Sequence, residues 1–416
     1  MEVIDPKDYS FYAQLALKKG LINGDDTSII FYDYSILQNR LSIVNKLFPD
    51  NSFHSVAVKS NPLIKILTFI QSQNFGIEAA SFGEILITQK SGIDSSKIVF
   101  DSPAKTQNEI DEIAKSFPEM HINVDSLQEL ERYKDDTHLT LSLRINPETK
   151  SDSVASMSVG GSKSKFGELI SNRKQIIEAF ETNKNLIGLH VHAGSQFHNI
   201  NPTITAIRKV IDLANEINAL TSDQIITIDI GGGFPVNYNG KPFELSKYVD
   251  ALKTHCTELF DDTYKVITEF GRYYHANAGW ILTDVEYVKE DSGNVIVQCG
   301  ADMFVRETYN PKDWYHDIFV LNRNLEMKNS ATKAQNIGGP LCFGGDYISK
   351  NRELPSMEQG DKLVIADCGA NTFSLWSKHC SRQFPKVITY SSKIKGEDIR
   401  IAKHRESYED LIKFWN

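Results

Sequence analysis

Short apolar runs alternate with longer amphipathic stretches between about residues 28 and 270. Nine of the runs are typical of strands, and they read, in chain order, SIIFYDY, HSVAVKS, FGIEAAS, KIVFDSP, MHINVDS, LTLSLRIN, LIGLHVHAG, ITIDIGGG and YKVITEFGR. The stretches between them, such as FGEILITQKSG and TQNEIDEIAKSF, carry apolar residues at helical spacing. Repeated strand-then-helix units form a parallel sheet. About eight such units in some 240 residues favour a closed (β/α)8 barrel over an open sheet.

The pattern changes after about residue 280. The strand-like runs ILTDVEYVKE, NVIVQCG, DIFVLN and KLVIADCG follow, with turns between them and few helical patterns. The predicted fold class is therefore α/β, a (β/α)8 TIM-like barrel plus a C-terminal mainly-β domain. The predicted boundaries are an N-terminal segment over 1–27 that packs on the β domain, a barrel over 28–275, and a β domain over 276–416.

Composition and charge limit the kind of partner. The chain is 41% hydrophobic and 24% charged, which is typical of a globular protein. Its net charge of -9 and its pI near 5.7 argue against a nucleic-acid-binding surface, which needs a basic stripe, and against binding to an anionic membrane. We therefore expect a small-molecule partner.

Five cysteines form no CxxC pair and are odd in number, so neither a disulfide framework nor a zinc cluster is indicated. The first residues, MEVIDPKDYS, contain no apolar core of a signal peptide, and no later segment approaches the roughly 18 apolar residues of a membrane span. These features favour a cytoplasmic location.

Chemically unusual residues cluster at the ends of the predicted barrel strands, where enzymes with this fold carry their active sites. The cluster comprises Lys59, Glu78, Ser81, Glu84, His192, Gly194, Ser195, Gly231 to Gly233, Glu269, Gly271 and Arg272. Each alone has a structural explanation, such as an exposed lysine, a hydrogen-bonded core histidine or a flexible glycine turn. Their joint position at successive strand ends predicts a functional site.

The glycine loop DIGGGFP indicates a phosphate site. It lacks the GxGxxG spacing and the early βαβ position of a dinucleotide fingerprint. Three glycines still let backbone N–H groups approach a phosphate, and Arg272 and Ser195 can add a charge and a hydroxyl. The loop therefore predicts a cradle for one phosphate group.

The sequence HVH allows a different interpretation. His190 and His192 lie on one face of a predicted strand, at a spacing that can bind a metal, with Glu78 and Asp229 as further ligands. A barrel metallohydrolase therefore stays an alternative, although it gives no role to the glycine loop.

Nine motifs occur in order along nearly the whole chain: AVKSNP, GIEAASFGE, SKFG, GLHVHAGSQ, DIGGGFP, EFGR, GPLCFGGD, GA at 369–370, and RESYEDLI. Together they resemble the pyridoxal phosphate (PLP)-dependent decarboxylases of the alanine-racemase-like barrel fold, the ornithine/diaminopimelate decarboxylase family. Within that family the diaminopimelate decarboxylases are the most similar. The resemblance implies a PLP-dependent carboxy-lyase that acts as a homodimer with shared active sites.

The resemblance also implies roles for the cofactor residues. Lys59 would attach the cofactor covalently, and we expect burial to lower its pKa so that it is a usable amine. Glu269 would face the pyridine nitrogen, although Phe270 follows it where the family usually has proline. His192 would lie over the ring, and His190 is interpreted as a buried strand residue. The phosphate would be held by Gly231, Gly232, Gly233, Ser195 and Arg272, with Gly271 in the same EFGR motif.

Three further residues match family positions near the reacting groups. Glu78 and Glu84 match acidic positions near the cofactor lysine, and for Glu84 a solvated or helix-capping role is equally open. Cys342 matches the cysteine that a neighbouring subunit contributes, and a thiol is a suitable proton donor once CO2 has left.

The substrate end departs from the family pattern. Phe343 stands where diaminopimelate decarboxylases carry a glutamate that recognises the distal amino group, and a buried ammonium without its carboxylate costs several kcal/mol. Arg306 matches the arginine that receives the distal carboxylate. Tyr309 is one position off the family tyrosine, and Asp346 completes the predicted substrate-binding set.

Three more positions differ from the family. Asn371 replaces a tyrosine, and His379 and Cys380 replace a Tyr-Asn pair. The match at Arg306 and the replacement of the amine-recognising glutamate by Phe343 predict an acidic or conjugated amino acid as substrate. Two alternatives are a true diaminopimelate decarboxylase of lysine biosynthesis and a catalytically silent relative that binds partners.

Overall fold

A computed structural model describes residues 4–133, 138–149, 160–161, 163–238, 243–394 and 396–416. These residues form two compact units. One contains the described residues up to Arg40, residues 237–238, and those from Tyr274 to the end of the chain. The other contains those from Leu41 to Val236 and from Phe243 to Tyr273.

The strands, in chain order, are β1 (Ser28–Asp33), β2 (Phe53–Ala57), β3 (Gly76–Ala79), β4 (Ile98–Asp101), β5 (His121–Val124), β6 (Thr140–Asn146), β7 (Glu168–Leu169), β8 (Leu186–His190), β9 (Thr227–Asp229), β10 (Lys265–Thr268), β11 (Gly279–Lys289), β12 (Asn294–Val297), β13 (Ile318–Leu321), β14 (Thr332–Gly338), β15 (Tyr347–Pro355), β16 (Lys362–Ile365), β17 (Lys386–Tyr390) and β18 (Arg400–Lys403). The helices are α1 (Pro6–Lys18), α2 (Tyr34–Leu47), α3 (Ile64–Ser72), α4 (Phe82–Lys90), α5 (Gln107–Ser116), α6 (Leu127–Leu130), α7 (Arg173–Thr182), α8 (Asn201–Thr221), α9 (Leu245–His255), α10 (Arg272–His275), α11 (Val305–Tyr309) and α12 (Tyr408–Trp415).

Eight parallel strands close into a barrel within the second unit. Their order is β2, β3, β4, β5, β6, β8, β9 and β10, and the pairing of β10 with β2 closes the ring. The short strand β7 adds to β6 outside this ring. The barrel strands are almost entirely buried. They are covered on both faces, which explains why their sequences are mostly apolar rather than alternating. The predicted fold class is confirmed.

Local signals start the barrel helices where the strands end. The Ser81 hydroxyl accepts a hydrogen bond from Glu84 N at 3.2 Å and so caps α4. Thr106 and Glu109 form a capping box at the start of α5. The longest helix described, α8, has 21 residues and one buried face. Among the residues that the structure describes, no helix has both the length and the apolar character to cross a membrane.

The other unit is built on a mainly antiparallel sheet with the order β15, β14, β12, β11, β1, β17 and β18, in which β16 pairs with β11 and with β13. Helix α1 packs on this sheet, where the ring centroids of Tyr9 and of Trp280 on β11 are 5.1 Å apart. Phe31 of β1 stacks on the same tryptophan at 4.0 Å.

Its position in the alternating pattern predicts that SIIFYDY is a barrel strand, and this prediction is wrong. It forms β1, which pairs antiparallel with β11 and parallel with β17. All six residues of β1 are buried, so buried and exposed positions do not alternate along this strand. Such a run predicts a strand but does not indicate which sheet the strand joins.

Candidate active site

Lys59 lies at the mouth of the barrel, in a single 3-10 turn that directly follows β2. Its Nζ donates to both carboxylate oxygens of Glu78, at 2.6 and 2.7 Å. Glu78 is fully buried on β3, whereas 47% of the Lys59 side chain is exposed. The Lys59 side chain is therefore partly exposed while its amine is held by a buried carboxylate.

The pKa of Lys59 differs from the sequence prediction. Burial lowers the pKa, but the carboxylates of Glu78, Glu269 and Asp101 outweigh burial and raise it above its ordinary value. The predicted lowering is wrong, because the residues at three neighbouring strand ends surround this lysine with negative charge. Lys59 is an ammonium ion at neutral pH in this arrangement.

A buried charge network lies around Glu269. The His190 Nε2 atom is 3.5 Å from Glu269 Oε2, and His190 Nδ1 is 3.8 Å from Asp101 Oδ1. Burial lowers the pKa of His190, but Glu269, Asp101 and Asp229 raise it to about 9. Burial raises the pKa of Glu269, yet His190 brings it below its ordinary value. Glu269 is therefore held as a buried, ionised carboxylate.

Three polar residues of this network were missed by the sequence analysis. They are Asp101 at the end of β4, Asn123 on β5 and Arg144 on β6. Arg144 Nη1 donates to both Asp101 oxygens at 3.2 and 3.1 Å, and Asn123 Nδ2 donates to Asp229 and Glu269 at 3.1 Å each. The signal that could have found them is a polar residue within an otherwise apolar strand run.

His192 follows β8 and is a neutral imidazole. Burial, followed by the charge of Arg144, lowers its pKa to about 3. Its Nδ1 atom accepts a hydrogen bond from Gly232 N at 3.1 Å, which places the ring proton on Nε2. The ring is thus fixed against the glycine loop.

The glycine loop needs residues without a side chain. Gly231 and Gly233 have φ of +66° and +89°. A Cβ at Gly233 would lie 1.8 Å from the carbonyl oxygen of Gly194, and one at Gly232 would lie 2.3 Å from that of Glu269. The turn therefore packs its backbone directly on two other barrel loops.

Gln196 fastens this loop to the segment after β8. Its Nε2 donates to Val236 O at 2.9 Å, and its Oε1 accepts from Val236 N at 2.7 Å. Its own backbone N donates to Gly233 O at 3.1 Å. This residue was not predicted as part of the site, although it follows Ser195 in the GSQ motif.

The remaining predicted barrel residues lie around the same mouth. Ser195 is half-buried beside the glycine loop, and Arg272 begins α10 and is buried. A Cβ at Gly271 would lie 2.9 Å from Ser60 Oγ, so the EFGR segment packs on the turn that carries Lys59. The Glu84 carboxylate accepts from Ala80 N at 2.7 Å, which is a capping contact at the start of α4.

A three-donor group for a metal is also present. The ligand atoms of His190, His192 and Glu269 lie within 4.8 Å of one another. The two further ligands of the metallohydrolase hypothesis are engaged elsewhere, since Glu78 binds Lys59 and Asp229 Oδ1 accepts from Gly231 N at 2.8 Å. A metal would also have to displace the proton that His190 holds up to about pH 9.

The predicted substrate residues belong to the mainly-β unit. Tyr309 and Phe343 stack with their centroids 5.2 Å apart and their planes 12° apart. The guanidinium of Arg306 lies 5.0 Å from the ring centroid of Trp314. Cys342 is exposed.

Asp346 is buried in the loop after β14. Its two carboxylate oxygens accept from Ala301 N and Leu341 N, at 2.6 Å each. Asp346 therefore anchors this loop, and its contact with substrate stays a prediction.

Comparison with known proteins agrees with the geometry. The pyridoxal binding domain of the pyridoxal-dependent decarboxylases matches residues 35–276, which include every barrel strand. The chain belongs to the pyridoxal-dependent decarboxylases. It is 29% identical to diaminopimelate decarboxylase from Helicobacter pylori over 92% of this chain and 94% of that protein. It is 26% identical to the Aquifex aeolicus diaminopimelate decarboxylase over 98% and 96% of the two chains.

Solved structures give the same result. The H. pylori diaminopimelate decarboxylase complexed with L-lysine superposes with a TM-score of 0.85 and 27% identity, covering 96% of this chain and 99% of that one. The chain is thus a carboxy-lyase whose cofactor is pyridoxal phosphate. The barrel residues fit this cofactor, because they combine a partly exposed lysine, a buried ionised carboxylate, a neutral imidazole and a glycine turn.

Proposed function

We propose that this pyridoxal-dependent decarboxylase acts on an amino acid whose distal end is an acid or a conjugated group. The observation that carries this proposal is the stacked pair of Phe343 and Tyr309. By the family pattern, a glutamate for a distal amine belongs at position 343. An aromatic pair there supplies surface for packing and no negative charge.

Lys59 would hold the cofactor and exchange it with the incoming amino group. For that step its ammonium must lose a proton, and Glu78 lies at 2.6 Å to take it and return it. When bound, the cofactor supplies the electron sink that accepts the electron pair left by CO2. Glu269 would face the pyridine nitrogen, with His190 keeping this carboxylate ionised.

The other barrel residues would position the cofactor. The neutral ring of His192 would lie against the cofactor face, fixed by its bond from Gly232 N. Backbone N–H groups of Gly231, Gly232 and Gly233, the hydroxyl of Ser195 and the guanidinium of Arg272 would hold the phosphate, with Gly271 keeping the Arg272 segment close to the Lys59 turn.

We infer that the working unit is a homodimer. By resemblance, Cys342 of a second copy would protonate the carbon that has lost CO2. Arg306 would receive the distal carboxylate of the substrate, beside Tyr309 and Phe343. A distal ammonium buried without a carboxylate costs about 3 kcal/mol or more, which is about a hundredfold in specificity.

The names of the relatives favour a second candidate, diaminopimelate decarboxylase itself. An ammonium group over the face of an aromatic ring gains about 0.5–2 kcal/mol, which is the route by which an aromatic pair could accept the second amine. Diaminopimelate and an acidic substrate would both place a distal carboxylate at Arg306, and they would differ in the group that faces position 343.

A substrate panel separates the two candidates. CO2 release is measured with meso-diaminopimelate, lysine, ornithine, arginine, glutamate and acyl-conjugated amino acids, on the wild type and on Phe343→Glu. The proposal expects the highest kcat/KM with an acidic or conjugated member and a gain of about tenfold or more for diaminopimelate in the variant. The highest wild-type kcat/KM with diaminopimelate would establish the second candidate instead.

A further inference from the structure

We propose that Cys342 and Cys380 form a reversible disulfide within one chain, which makes this pair a modification site for oxidants. Both thiols are exposed, and Cys342 N donates to Cys380 Sγ at 3.5 Å. Only Cα and Cβ separate this nitrogen from the sulfur of Cys342, so rotation about the Cα–Cβ bond moves one sulfur towards the other. The other cysteines are buried: Cys256, Cys299 and Cys368.

The loop that carries Cys342 is anchored on the turn after β12. Asp346 accepts from Ala301 N with one oxygen and from Leu341 N with the other, at 2.6 Å each. The backbone carbonyl of Asp346 also accepts from Gly339 N at 2.8 Å. These bonds fix the residue directly before Cys342.

The segment that carries Cys380 is anchored on the next residue of the same turn. Asp302 Oδ2 accepts from Arg382 Nε at 3.0 Å, and Asp302 O accepts from Ser377 N at 2.9 Å. The two bonds lie on either side of Cys380. Because Ala301 and Asp302 are neighbours, the separation of the two cysteines is set by hydrogen bonds to one short turn. Little backbone movement is then needed to reach disulfide geometry.

A peroxide is the oxidant class that this step requires. The thiolate of Cys342 attacks one peroxide oxygen, so an S–O bond forms, the O–O bond breaks, and the other oxygen leaves as hydroxide, which takes up the proton released by the Cys342 thiol and becomes water. The sulfur of Cys380 then attacks the oxidised sulfur, the S–S bond forms, the S–O bond breaks, and its oxygen leaves with a proton as a second water. Two thiols are oxidised by two electrons and one peroxide is reduced. A small dithiol reverses the change.

The effect on turnover rests on the proposed function. If Cys342 is the proton donor, its sulfur has no proton to give while it is bonded to Cys380. Disulfides of this kind in reducing compartments are transient and regulatory.

The covalent site is tested by peptide mapping. The holoenzyme is treated with hydrogen peroxide, blocked with an alkylating reagent and digested with trypsin without reduction. Trypsin releases Cys342 within residues 334–350 and Cys380 within residues 379–382, each as the single cysteine of its peptide. We expect one linked peptide, two hydrogen atoms lighter than the sum, which dithiothreitol separates. Absence of this peptide, or a link only between two chains on a non-reducing gel, would overturn the proposal.

Variants separate this inference from the proposed function. Wild-type CO2 release should fall about a hundredfold after peroxide and recover with dithiothreitol. In Cys380→Ser the linked peptide should be absent and the lost activity should not recover, because Cys342 oxidises further. Cys256→Ala, at a buried thiol, should behave as the wild type. A linked peptide with unchanged CO2 release would support the disulfide and contradict the proton-donor role of Cys342.

Discussion

At the scale of single residues, the chemistry of the site depends on how buried charges compensate one another. Lys59 is held as an ammonium by Glu78, and Glu269 is held as a carboxylate by His190. The sequence indicated Lys59, Glu78 and Glu269, because each is polar at a strand end. It could not indicate the direction of the Lys59 pKa, since that direction depends on Asp101 and Glu269, which come from other strands.

The pairing of Lys59 with Glu78 makes a pH prediction. In Glu78→Gln the amide keeps a hydrogen-bonding group but removes the charge that raises the pKa of Lys59. The pH at which half of the protein attaches cofactor should therefore fall by about 1–3 pH units, measured by absorbance across a pH series. Glu84→Gln is the matched control, because the Glu84 carboxylate caps Ala80 N and should give a smaller shift. An unchanged midpoint in Glu78→Gln would contradict the assigned ion pair.

At the scale of elements, loops rather than strands fix the glycine turn that we propose as the phosphate cradle. The strand pattern predicted the barrel, and the glycines predicted the turn after β9. The contact of Gln196 with Val236 was not predictable, because it joins loops 40 residues apart that come together only when the barrel closes. The assignment of β1 to the other sheet was missed for a similar reason: its partners β11 and β17 lie far along the chain.

Removing the Gln196 contact should loosen the cradle. Gln196→Ala loses two hydrogen bonds to Val236, each worth about 0.5–1.5 kcal/mol, so the dissociation constant for pyridoxal phosphate should rise about tenfold. Equilibrium dialysis or fluorescence titration measures this constant. Gln107→Ala, at an exposed position near the start of α5, serves as the control and should leave the constant unchanged. Equal constants for the two variants would show that the cradle does not depend on Gln196.

At the scale of the whole molecule, the residues that we propose for the cofactor lie in one compact unit and Cys342 lies in the other. In the proposed homodimer, each active site contains Lys59 of one chain and Cys342 of the other. The sequence predicted both residues from their motifs. The arrangement of two chains is a property of an assembly, which the residues of one chain do not specify.

Mixed dimers test this arrangement. A heterodimer of Lys59→Ala with Cys342→Ala, purified through two different tags, should contain one intact site of two and show about half of the wild-type CO2 release. A heterodimer of Lys59→Ala with the double variant has no intact site and should be inactive. If the first heterodimer were also inactive, Cys342 would serve the site of its own chain.

The central claim is that Lys59 anchors pyridoxal phosphate in an active decarboxylase. Borohydride reduction of the holoenzyme makes the attachment permanent, and tryptic mass mapping then locates it. We expect the cofactor mass on residues 47–65, since trypsin does not cleave after a modified Lys59, and complete loss of CO2 release in the reduced protein. Cofactor on a different lysine, or no attached cofactor in a protein that still releases CO2, would contradict the account.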